Sequence, residues 1–171
     1  MKKKYKRVFS ISLEPGYRNY TVKDIIDLKG KKKLSQILVS TVEEAIAAQE
    51  AGIDLLLVPG TLSDLRSIRE AASKTFMTIS VPFIKHSSKE SAVKKALEIM
   101  EIGADSVHCG SWNLNFMKYL SEFKIPFQGH AGLVPRRSTW IGGVRAFGKT
   151  QKEAIQLIKI LKILKILEHG E

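Results

Sequence analysis

The sequence predicts an α/β protein with about five parallel strands followed by a C-terminal helix. From residue 36 onward, short apolar runs alternate with segments of helical length. The run at residues 53–58 is apolar at almost every position, as in parallel strands that are covered on both faces. The chain has 171 residues, whereas a complete (β/α)8 barrel has about 250. A full eight-unit barrel therefore does not fit.

The beginning of the chain is expected to be a basic N-terminal extension over residues 1–20. Residues 8–13 alternate weakly, and the triplet Glu14-Pro15-Gly16 predicts a turn. Thr21 and Asp24 have the spacing of a capping box, so a helix is expected to begin at Thr21 and to end at Gly30. Residues 21–171 are expected to form a single partial-barrel domain.

The central part of the chain predicts five strand and helix units in order. Strands are expected at residues 36–39, 53–58, 76–81, 105–109 and 125–128. Helices are expected between them at residues 41–49, 64–73, 88–102 and 113–123. Units of this kind require right-handed crossovers and a parallel sheet.

The last helix, expected at residues 155–167, has Ile and Leu pairs every three residues with lysines between them. A three-residue period drifts around a helix with 3.6 residues per turn, so neither face is wholly polar. Burial against the sheet, contact with a second copy and contact with a membrane surface each agree with this pattern. We predict a homo-oligomer that forms through this helix.

Composition excludes several classes of protein. The net charge of +11 favours polyanions, but the basic residues are not interleaved with aromatic residues, so we do not expect nucleic-acid binding. Cys109 is the single cysteine, which excludes an intramolecular disulfide and favours a reducing compartment. No apolar run reaches the length of a membrane span, and the charged start is unlike a secretory signal. We therefore predict a cytoplasmic protein without a membrane partner.

The most distinctive string, IPFQGHAGLVP at residues 125–135, is followed by GGVRAFGK at residues 142–149. It resembles the IPVxGHxGLxPQ…GGYxxQG signature of the ketopantoate hydroxymethyltransferase (3-methyl-2-oxobutanoate hydroxymethyltransferase) family. TVKDI at residues 21–25, AGIDLLLV at residues 51–58, VPF at residues 81–83 and IGADSV at residues 102–107 are similar to other motifs of the family. The resemblance extends over most of the chain.

The resemblance implies an incomplete TIM-like (β/α)8 barrel of the phosphoenolpyruvate/pyruvate type and a role in pantothenate biosynthesis. Enzymes of the family transfer a hydroxymethyl group from methylenetetrahydrofolate to a 2-oxo acid bound to magnesium. Magnesium is a hard cation held by carboxylate oxygens and water. The resemblance therefore implies acidic residues at the metal site.

The residues aligned with that site are not acidic. Gly60, Ser80 and Gly110 stand at the family's metal-ligand positions, and His108 stands where a lysine holds the keto acid. The chain also ends before the strand that carries the family's catalytic glutamate. We therefore expect a truncated, divergent member that is impaired in the family reaction and needs no cofactor.

Polar residues nevertheless remain at the predicted carboxyl ends of the strands, where barrels of this architecture bind ligands. We expect a small 2-oxo acid or another small anion to bind there through hydrogen bonds. The alternative is a polar interior satisfied by water and backbone. Cys109 is not expected to act with His108, because neighbours on a strand point to opposite faces. The substrate-binding candidates are Thr61, Ser80, His108, Gln128 and His130.

Overall fold

The fold is built on one five-stranded parallel sheet, as the sequence predicts. The computed structural model describes residues 5–83, 85–110 and 114–169. Sheet order follows chain order, and each strand is hydrogen-bonded in parallel to the next. The strands are β3 (Gln36–Leu38), β4 (Leu55–Val58), β5 (Phe76–Ser80), β6 (Ser106–Gly110) and β7 (Phe127–His130).

The helices alternate with these strands. Thr21 caps the first helix with the predicted capping box, and Thr41 and Ser88 accept capping bonds from backbone N–H groups of the helices that follow them. A short 3-10 helix, Pro135–Ile141, follows β7. Within the described ranges, no helix combines the length and apolarity needed to cross a bilayer. The helices are α1 (Val22–Asp27), α2 (Val42–Glu50), α3 (Leu65–Ala71), α4 (Lys89–Glu101), α5 (Leu114–Glu122) and α6 (Gln151–His169).

Several boundaries differ from the prediction. Strand β4 begins at Leu55 rather than at residue 53, and α6 begins at Gln151 rather than at residue 155. Helix α1 ends at Asp27 rather than near Gly30, and the chain continues as turns. Strand β7 begins two residues later than predicted, because the N–H of Ile125 bonds to the Leu120 carbonyl at the end of α5. Pro126 then has no N–H to donate to the sheet. The shift brings His130 into the strand.

The hydrophobic core lies between the sheet and helices α2 to α6. Leu56, Met77, Ile79 and Val107 point to this convex side and are fully buried. Small residues on the helices, including Ala96, let the helices approach the sheet closely. The buried apolar side chains of the strands therefore pack mainly against the helices.

The opposite, concave face of the sheet is more polar. Thr78 and Ser106 are buried there and share a hydrogen bond of 2.7 Å between their hydroxyls. Gln36 on β3 and Gln128 on β7 exchange two amide hydrogen bonds of 3.0 and 3.1 Å. Because β3 and β7 are the two edges of the sheet, the sheet curves enough for its edges to touch through side chains.

The N-terminal segment forms an antiparallel hairpin of β1 (Lys6–Phe9) and β2 (Pro15–Arg18). The predicted turn at Glu14-Pro15-Gly16 is wrong, because Pro15 and Gly16 pair with Phe9 and Val8 inside the hairpin. The turn instead covers residues 10–14. Ser10 closes it by hydrogen bonds with the backbone of Leu13 and Glu14.

The hairpin is attached to the amino ends of the sheet strands by buried polar contacts. The Nε atom of Arg18 donates to both carboxylate oxygens of Asp105 at 2.8 and 3.0 Å, and its other nitrogens donate to the Ser73 and Gly103 carbonyls. Arg69 donates to the same carboxylate at 3.2 Å, and the N–H of Met77 donates to it at 2.8 Å. Asp105 therefore joins the hairpin, α3 and β5 at one point.

Removing the charge of Asp105 tests this junction. In Asp105→Asn, two buried guanidiniums lose their counter-charge, and breaking a buried ion pair costs about 3 kcal/mol or more. We expect the free energy of unfolding in urea to fall by that amount. The matched control is Asp27→Asn, which removes an exposed contact with Lys23. An equal loss in both variants would contradict the structural role of the junction.

Candidate functional site

The candidate site is a cleft of about 320 Å³ at the carboxyl ends of the strands. Four of the five residues proposed from the sequence line this cleft: Thr61, Ser80, His108 and His130. Strands β3, β4 and β6 and the segments after β4, β5 and β7 supply the rest of its wall. The parallel sheet brings these residues together, because the carboxyl ends of all its strands lie at the same end of the sheet.

Ser80 is held in a defined orientation at the end of β5. Its hydroxyl oxygen accepts a 3.0 Å hydrogen bond from the N–H of Gly60 in the loop after β4. That bond uses a lone pair of the oxygen and leaves the hydroxyl hydrogen to donate elsewhere. Ser80 is half-buried in the cleft, so a ligand oxygen can accept this hydrogen.

His108 and His130 form a pair inside the cleft, with ring centroids 5.8 Å apart. The Nε2 atom of His130 donates to the Leu133 carbonyl at 2.9 Å, which leaves Nδ1 for other contacts. Burial lowers the pKa of His108, and the neighbouring His130 lowers it further. His108 is therefore neutral at pH 7, and an anion bound beside it would favour its protonation.

Gln128, the fifth proposed residue, does not line the cleft. It lies two residues before His130 on β7, and its amide is paired with that of Gln36. Gln128 lines a different, mostly apolar cavity of about 120 Å³ beside α1. Strand alternation gives the side of the sheet that a residue faces, but it does not give the depth along the strand.

Cys109 faces away from the cleft, as strand alternation predicts. Its side chain is fully buried in the core between the sheet and the helices. Burial raises the pKa of the Cys109 thiol to about 12. The thiolate, which is the nucleophilic form, is therefore not populated at neutral pH.

The apolar wall of the cleft was not proposed from the sequence. Leu38 and Leu57 line it from β3 and β4, and Phe83, which stacks on Phe116 at 5.4 Å, lines it from the loop after β5. Arg136 lies at the rim. Alternation along the strands could have predicted both leucines, because Leu38 and Leu57 point to the same face of the sheet as the polar residues of the cleft.

The residues of the cleft do not fit a magnesium ion. Among the described residues that line it there is no aspartate or glutamate, and within the described ranges no three His, Cys, Asp or Glu side chains cluster as metal ligands. A Cβ at Gly60 would lie 1.8 Å from the Ser80 carbonyl oxygen. An aspartate therefore cannot replace Gly60 without displacement of the end of β5.

Comparison with known proteins gives one family and several curated relatives. The model of the family described as ketopantoate hydroxymethyltransferase matches residues 19–167. The chain belongs to this family. It is 33% identical to the 3-methyl-2-oxobutanoate hydroxymethyltransferase of Kosmotoga olearia over 159 residues, which cover 80% of this chain and 60% of that protein. It is 29% identical to the protein of that name from Pyrococcus abyssi over 163 residues, covering 82% of this chain and 58% of the relative.

The chain spans about 60% of the length of these curated relatives. The shared part contains the strands that form the cleft, from β3 to β7. The family therefore accounts for the order of the strands and for the position of the cleft. Its chemistry has to be judged from the residues of this chain.

Substitution of Gly60 tests how closely the loop after β4 approaches the end of β5. In Gly60→Ala the new methyl group meets the Ser80 carbonyl, and overpacking of this kind costs about 1–3 kcal/mol. We expect a lower melting temperature in a thermal scan. Thr61→Ala, at the exposed next position, is the matched control and should melt as the wild type does. Equal melting of Gly60→Ala and the wild type would show that the loops are farther apart.

Proposed function

We propose that the cleft binds a small 2-oxo acid through hydrogen bonds, and that the chain does not catalyse the hydroxymethyl transfer implied by its family. The observation that carries the proposal is that Ser80, His108 and His130 line the cleft and that no carboxylate is among its described residues. A site lined by acids repels an anion unless a metal is bound, whereas these side chains can donate hydrogen bonds to it directly.

The two sides of the cleft suit the two ends of such a ligand. The Ser80 hydroxyl, His108 and the Arg136 guanidinium at the rim can meet carboxylate and keto oxygens. Leu38 and Leu57 on the other wall can contact a short branched aliphatic chain. A few polar groups on an otherwise apolar surface are typical of small-molecule sites.

The same residues argue against the family reaction. Removal of a proton beside a keto group requires a base within hydrogen-bond reach and stabilisation of the enolate oxygen. No carboxylate lines the described cleft, and His108 is a weakened base because burial lowers its pKa. The proposed binding role needs neither magnesium nor methylenetetrahydrofolate.

Binding of the ligand should be linked to uptake of a proton. The ligand carboxylate stays ionised at neutral and mildly acidic pH, and its charge raises the pKa of His108, so affinity increases as pH falls. By isothermal titration calorimetry with 3-methyl-2-oxobutanoate, we expect the dissociation constant to fall roughly tenfold from about pH 7.5 to about pH 5.5. His130 and Arg136 are the other ionisable groups among the described residues of the cleft.

Two variants separate this linkage from a general effect of pH. His108→Gln keeps a hydrogen-bonding side chain but cannot titrate, so its affinity should vary much less with pH. His86→Gln removes a histidine that does not line the cleft and should behave as the wild type. Absence of binding heat with 3-methyl-2-oxobutanoate, ketopantoate and phosphate at millimolar concentration would refute the binding proposal.

Proton exchange tests the absence of the reaction. Exchange at the carbon beside the keto group of 3-methyl-2-oxobutanoate is followed by NMR in deuterium oxide with added magnesium. We expect no exchange above the buffer rate, because the cleft lacks both metal-binding acids and a strong base. The Kosmotoga olearia relative is the positive control. Exchange at the rate of that relative would show that this chain retains the chemistry.

A further inference from the structure

The two ends of the helix layer carry opposite charges. Helix α2 packs against α3 at one end, and α6 packs against α5 at the other. Helix α2 contains three glutamates and no lysine or arginine, although the whole chain has a net charge of +11. Helix α6 contains four lysines, at positions 152, 159, 162 and 165. We call α2 with its exposed neighbours on β3 the acidic edge and α6 the basic edge.

The basic edge also exposes apolar side chains. One side of α6 is occupied, because Leu164 belongs to the buried core cluster with Met117 and fills the space where a side chain at Gly129 would lie. The Ser121 hydroxyl also donates to the Leu167 carbonyl. The other side is exposed, with accessibilities from 38% for Ile163 to 64% for Ile166. Its apolar members are Ile155, Ile158, Leu161, Ile163 and Ile166.

Lysines and apolar residues share this outer side. Ile155, Ile158, Lys162 and Ile166 follow one another at spacings of three and four residues, so they lie on one face of the helix. Exposed apolar residues in such a row indicate a contact surface. The lysines make a second α6 a poor partner, because like charges would face each other.

The acidic edge provides the matching features. Glu43, Glu44 and Glu50 are exposed on α2, and Ile46 is exposed among them. Ile37 on the edge strand β3 is also exposed. Apolar residues flanked by carboxylates on one edge thus complement apolar residues flanked by ammonium groups on the other.

We propose that the protein associates head to tail with a second copy of itself, with α6 of one copy docked against the α2 and β3 edge of the other. The contact extends the existing helix layer, in which α2 packs against α3, and α5 packs against both α4 and α6. In a closed assembly, every acidic edge is covered by the α6 of another copy, and every α6 is covered by an acidic edge. Head-to-tail contacts that close give rings, and two copies are the smallest such assembly.

Charge reversal distinguishes this arrangement from self-pairing of α6. The basic-edge variant carries Lys159→Glu and Lys162→Glu, and the acidic-edge variant carries Glu43→Lys and Glu50→Lys. By size-exclusion chromatography with light scattering, we expect the wild type to have at least twice the 19.1 kDa mass of one chain. Each variant alone should be a monomer, because its two edges then have like charges.

Mixing the two variants should restore the assembly, because each reversed edge then meets an edge of opposite charge. The control, Lys94→Glu with Lys118→Glu on α4 and α5, changes the charge equally and should assemble as the wild type does. Circular dichroism establishes that every variant is folded. A monomeric wild type at submillimolar concentration would overturn the proposal. So would an acidic-edge variant that assembles normally on its own, which would indicate self-pairing of α6.

Discussion

The curvature of the five-stranded sheet determines where the cleft forms. Five parallel strands normally form an open, twisted layer with both faces covered by helices. Here the edge strands β3 and β7 meet across the concave face through the paired amides of Gln36 and Gln128. Gln128 lines the apolar cavity beside α1, whereas His130, two residues later on β7, lines the cleft at the carboxyl ends of the strands. The cleft therefore exists without a closed barrel.

A second constraint lies at the end of β5. The loop after β4 approaches so closely that the Gly60 N–H bonds to the Ser80 hydroxyl, and the position of a Gly60 Cβ is filled by the Ser80 carbonyl. Any side chain at position 60 would therefore require a change of backbone packing. An aspartate introduced at position 60 by a single substitution would not create a metal site, because the Ser80 carbonyl occupies the space for its side chain. The same packing orients the Ser80 hydroxyl for the binding role that we propose.

The sequence predicts most of the fold because the relevant signals are local. Hydrophobic runs and caps such as Thr21 and Ser88 depend on neighbours within a few residues, and they place the strands and helices in the correct order. Arg18 and Asp105 are 87 residues apart, so their contact leaves no local signal. The hairpin turn was misplaced because Pro15 and Gly16 are typical of turns, whereas here they pair within β2 at the edge of a two-stranded sheet.

The candidate site is predictable to the same extent. The sequence places Ser80, His108 and His130 on the same face of three parallel strands. In the structure they meet at the carboxyl ends of those strands. Gln128 obeys the same alternation, but its amide is paired with Gln36 on the far edge strand, and its side chain lines the cavity beside α1. Pairing between residues 92 positions apart depends on how strongly the sheet bends, and hydrophobic periodicity contains no measure of bending. Local patterns therefore identify the strands of the site, while curvature decides which side chains share the cleft.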